Sequence, residues 1–101
     1  MEDTPAVEIL TRGLHTVLAT MSNQNPNRII LEETLRYTAQ SQQKNLVPTE
    51  RTALIRLAAA HMRHADTLSD SAIENAALAI AKRAMTAALF ECCSEPTQRR
   101  N

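Results

Sequence analysis

The chain predicts an all-α fold, and three observations carry that expectation. Glycine occurs once and proline four times in 101 residues, too few for the tight turns of a sandwich or barrel. Apolar residues recur at helical spacing, as in Val7, Leu10, Leu14, Val17 and Met21. The stretch from Ser71 to Cys93 then runs without Gly or Pro and is rich in alanine. With one Tyr, one Phe and no Trp, the core must be thin and built from closely spaced helices. The expectation is a small four-helix bundle-like domain over residues 1–95, with a loose tail over 96–101. Its C-terminal helix is apolar and alanine-rich, and the domain is expected to dimerise.

The helices are expected near 5–22, 26–44, 50–67 and 72–93. Thr4 is placed to cap the first and Pro5 to open it. Its Val7–Met21 seam has the 3-4 spacing of a coiled coil, widened by Leu18. Gly13 beside the seam suggests close helix packing, at a cost of about 1 kcal/mol against Ala. Asn25 caps the second helix and Pro26 opens it. Ile30, Leu31, Thr34, Leu35 and Tyr37 form its buried face, and Glu32 can pair with Arg36. Arg28–Leu31 could also be read as a strand, but no second strand is visible to pair with it. The stretch from Thr38 to Asn45 is polar on every side and is expected to fray or project. Thr49 and Glu50 suit the start of the third helix, whose apolar face holds Leu54, Leu57, Ala58, His61, Met62, Ala65 and Leu68. Arg56 and Arg63 lie opposite, in water.

The fourth helix begins at a capping box, Ser71 with Glu74. Leu78, Met85 and Leu89 flank one side of an alanine valley of Ala77, Ala81, Ala84 and Ala88; Ile73 and Ile80 flank the other. Alanine lets a neighbouring backbone come close. So wide an apolar arc exceeds what one neighbour covers, so the helix should be nearly surrounded, either within the bundle or by a second chain. Lys82 and Arg83 in mid-run argue against a membrane span.

The rest of the sequence limits the chemistry. Eleven basic residues balance eleven acidic ones, without the cationic surplus of a nucleic-acid binder. The opening Met1-Glu2-Asp3-Thr4-Pro5 lacks a signal peptide's positive n-region, so the protein is expected in the cytoplasm. There Cys92 and Cys93 stay reduced, since a bridge between neighbours is strained. His61 projects from an apolar face with His64 one turn on. A zinc site needs more ligands, which only His15 or the cysteines could add, so no metal is expected. Glu32-Glu33 are adjacent and diverge on a helix, and no phosphate loop or dinucleotide fingerprint occurs. No catalytic residue and no cofactor are expected.

By elimination, the sequence points to a non-enzymatic regulator that binds another protein through apolar helical surface. Antiactivators, inhibitors and dedicated chaperones work this way, by occluding a partner's interface. The expected partner or dimer contacts are Leu78, Ala81, Met85, Ala88, Leu89 and Phe90 on the fourth helix, with Ile9 and Ile29 from the first two. The alternatives are a small DNA-binding regulator, with Arg28, Arg36, Lys44, Arg51, Arg56 and Arg63 as a weak basic face, and, further off, a metal-binding module.

Overall fold

The computed structural model describes residues 5–66 and 70–93. Four helices follow in order: α1 over Ala6–Thr20, α2 over Asn27–Ser41, α3 over Pro48–Met62 and α4 over Ala72–Cys93. There is no strand among the described residues, and Arg28–Leu31 belong to α2.

The termini of the helices show why each starts where it does. Pro5 precedes α1 in an extended conformation and has no side-chain cap bond. Thr4, expected to supply one, lies outside the described residues. The first N–H of α1, on Ala6, instead donates to Glu91 Oε1 at 2.9 Å, so a carboxylate from the end of α4 does the capping. At α2 the Asn25 side chain accepts from Asn27 N at 2.9 Å, and Pro26 already has helical angles. α3 starts one residue before Thr49: Val47 is extended and Pro48 takes the first helical position. It ends at Met62, short of the expected 67, in a turn through Arg63 and His64. α4 opens as expected, with Ser71 Oγ accepting from Glu74 N at 3.2 Å.

Polar ties fix the directions. Arg28 of α2 donates to the Leu18 and Met21 carbonyls at the end of α1, both at 2.8 Å, and the Thr11 hydroxyl meets the Gln42 side chain just past α2. Hence α1 and α2 are antiparallel. Glu91 at the start of α1 and Glu74 at its end make α1 and α4 antiparallel too. Each helix packs on two others in the ring α1–α2–α3–α4, with α3 on α4 the thinnest contact. Leu10, Leu14, Leu31, Ala58, Ala65 and Ala81 are essentially inaccessible at its centre.

Four local expectations are corrected. α2 ends at Ser41, short of the expected 44, and residues 42–45 are exposed beyond it, but Thr38 and Ser41 do not fray: they are fully buried, like Thr34. Their hydroxyls donate to the preceding turn, to the Ile30, Leu35 and Thr38 carbonyls, and so enter the interior with their hydrogen bonds made. On α3, Ile55 is inside and Leu57 is 44% exposed, so the buried face is rotated from the predicted one; Leu68 lies outside the described residues. Glu32 pairs with Arg28, and Arg36 pairs with Glu33, rather than with each other. Gly13, moreover, is not at a close approach, because a Cβ there would meet nothing within 4 Å.

Candidate functional site

α4 has two apolar faces, and only one of them is spent on the bundle. Leu78, Ala81, Met85 and Ala88 are buried with the core residues of α1, α2 and α3, and Ala77, Ala84 and Leu89 pack partly against them. On the far side Ile73 is 73% exposed and Ile80 59%. Phe90, near the end of the helix, is 72% exposed. The outward positions 73, 76, 80, 83, 87 and 90 read Ile, Ala, Ile, Arg, Ala and Phe. That is 3-4-3-4-3 spacing, which keeps a seam on one side of a helix.

The expected contact residues therefore divide. Leu78, Ala81, Met85 and Ala88 lie inside a single chain and offer a partner no surface, and Leu89 is half-buried. They are inside because α1 and α3 take up the leucine side and the alanine valley. Phe90, Ile9 and Ile29 are exposed, as expected. Ile29, however, sits on α2 among Glu32, Glu33 and Arg36, diagonally across the ring from α4. It is an isolated apolar side chain in a charged surround, not part of the α4 stripe. Ile73 and Ile80 were missed because periodicity groups residues by face and does not tell which face a neighbour covers.

Most polar groups that could have done chemistry are engaged in structural bonds. Glu74 accepts from Ser22 N at 2.9 Å and Asn25 Nδ2 at 2.6 Å, joining the start of α4 to the α1–α2 loop. These residues, with Gln24, Pro26, Asp70 and Ser71, line an opening of about 370 Å³. Arg51 donates to the carbonyls of Ser41, Gln43 and Leu46 and pins the α2–α3 loop. His61 is half-buried and stacks on Tyr37, ring centres 5.1 Å apart. His15 on α1 and His64 in the turn after α3 are both exposed. No group of three metal-ligating side chains forms among the described residues. Cys92 is half-buried, and its thiol donates to the Leu89 carbonyl at 3.8 Å. Glu33 holds Arg36 above its ordinary pKa, first through their hydrogen bond and then through its charge.

Four cations differ from these. Arg56 of α3, Arg63 in the turn that follows it, and Lys82 and Arg83 of α4 make no side-chain hydrogen bond or ion pair among the described residues, as is also true of Lys44 in the α2–α3 loop. Arg63 and Lys82 face one another across a cleft of about 200 Å³, with Ala59, Met62 and Thr86 as its other walls.

No described helix is long and apolar enough to cross a membrane. No family model matches the chain, and no curated protein or solved structure matches it either.

Proposed function

We propose that the protein is a non-enzymatic regulator that binds another protein through the outward face of α4 and occludes that partner's own interface. The observation that carries this reading is the stripe centred on Ile73 and Ile80, left in water on the same helix that supplies the core with Leu78 and Met85. Covering an isoleucine of that kind is worth up to about 1.5–3 kcal/mol, so two on one seam contribute part of what docking requires. Exposed apolar groups in a row mark interaction surface, whereas a lone one such as Ile29 does not. The engagement of Glu74, Arg51, Glu32 and Glu33 in structural bonds supports a non-catalytic role.

The test is capture from native extract with the wild-type chain and with an Ile73→Asp, Ile80→Asp variant. The variant should fold, as circular dichroism reads, and lose the captured protein. An Ile29→Asp variant should keep it. Retention of every captured protein by the double variant would remove this reading.

A second reading is homodimerisation on the same face, favoured by the 3-4-3-4-3 spacing of residues 73–90. Paired antiparallel, Ile80 would lie against the stem of Arg83, whose charged end can reach the edge of the seam. Mass in solution, with and without the two aspartates, tests it.

A further inference from the structure

We infer that the groove between α3 and α4 binds an acidic amphipathic helix, with apolar side chains on its floor and carboxylates on its rim. The inference rests on the protein-binding reading above and names the chemistry of what is bound.

The chain is neutral overall, yet its charge is unevenly placed. From residue 51 to 65 the charged residues are Arg51, Arg56 and Arg63; from 75 to 90 they are Lys82 and Arg83. Neither stretch holds an acid. On α1 and α2, by contrast, Arg12, Arg28 and Arg36 each have a glutamate partner within 3.2 Å. Arg51 is spent on carbonyls, and the other four cations are left without partners among the described residues. Their positions are not scattered. Arg63, the C-cap of α3, follows Arg56 by seven positions, two helical turns on. Lys82 stands across the cleft from Arg63, and Arg83 follows it toward the exposed stripe.

Between Arg63 and Lys82 the cleft is lined by Ala59, Met62 and Thr86; Ala59 and Met62 are 7% and 2% exposed, so the apolar area they present is small and the charged rim is the larger part of the surface. α3 and α4 make the thinnest contact in the ring, and the cleft between them is lined by Arg63 and Lys82. Small and flexible side chains over a shallow floor, rimmed by positive charge, match a helix with leucine-like residues on one side and glutamate or aspartate flanking them. Nucleic acid fits less well. The floor carries no aromatic side chain for a base to stack on, and four cations cover little of a phosphate backbone.

The experiment uses the full chain and a fluorescein-labelled peptide of three Leu-Glu-Glu-Leu-Ala-Glu-Glu heptads, read by fluorescence anisotropy at low salt. The wild type should bind it saturably, and added salt should weaken binding. Arg63→Glu with Lys82→Glu should weaken it about tenfold or more, with the helical spectrum unchanged. A peptide with Lys in place of Glu should bind that reversed variant and not the wild type. Lys82→Gln supplies a milder variant should the double reversal unfold.

Absence of saturable binding to the acidic peptide would overturn the inference. Equal binding of a leucine-free polyglutamate would overturn the role given to the floor. Tighter binding of a DNA duplex would assign the groove to phosphate, and a mass showing two copies joined through Arg63 and Lys82 would assign it to a second chain. Each defeats the groove alone, because the isoleucine variants of the preceding test read a different set of side chains.

Discussion

Gly13 is half-buried in mid-α1, yet a methyl group there would meet nothing within 4 Å. Its backbone angle is not in the left-handed region, so no conformation demands glycine. Gly13→Ala should stabilise the fold by about 0.5–1 kcal/mol, through reduced freedom of the unfolded chain and better helix propensity. Urea denaturation checks this, and a loss of stability would mean that α1 sits closer to a neighbour than its geometry indicates. Glu74 works in the opposite sense. Its carboxylate takes two hydrogen bonds from the α1–α2 loop, to Ser22 N and Asn25 Nδ2, while its N–H takes the Ser71 cap. Glu74→Ala should cost about 1–2 kcal/mol, toward the lower end for charge-assisted bonds because the site is partly open to water. The raised pKa of Arg36 adds no pH dependence near neutrality. A raised pKa contributes below the unfolded value and is lost only as pH climbs through the folded one, which for a guanidinium is strongly alkaline.

At the scale of the helices, α4 offers a direct comparison between its two faces. Ala81 is 1% exposed and inside the bundle, whereas Ala87 is exposed on the outer stripe. Ala81→Leu should therefore cost about 1–3 kcal/mol by overpacking. Ala87→Leu should stay within about 0.5 kcal/mol of wild type. Similar losses at both positions in chemical denaturation would mean that the outer face is also packed. Four helices and the boundaries of α4 were legible because helical spacing, Ser71 and the absence of Gly or Pro all agree. The end of α2 was not legible. Thr38 and Ser41 count as polar in any pattern, and only the backbone carbonyls of the preceding turn, unseen in a string of letters, let them go inside. The rotation of α3's buried face was hidden for a related reason: Leu54, Ile55, Leu57 and Ala58 include apolar choices for two overlapping faces. The cationic groove escaped notice because eleven positive and eleven negative charges cancel in a sum, and the sum does not record which of them find partners.

For the whole molecule, the question is how much of α4 the isolated chain needs in order to fold. The core has no Trp or Phe and relies on leucine, methionine and alanine, so its margin is small. Leu78 is 5% exposed within that core, and Leu78→Asp would bury an unpaired carboxylate at its centre. That variant should unfold at room temperature, and so it reports on the core and cannot report on docking. Ile73→Asp with Ile80→Asp places the same chemistry on the same helix, but in water. The pair should fold with a stability within about 0.5 kcal/mol per site of wild type. Circular dichroism during urea titration separates the two cases. If the isoleucine pair unfolded like Leu78→Asp, the stripe would belong to the monomer's own packing and no apolar surface would remain for a partner. With the expected outcome, α4 divides its hydrophobic circumference between two tasks. One face closes the bundle at any protein concentration. The other contributes to stability only when something binds it, by an amount that grows with the concentration of what is bound.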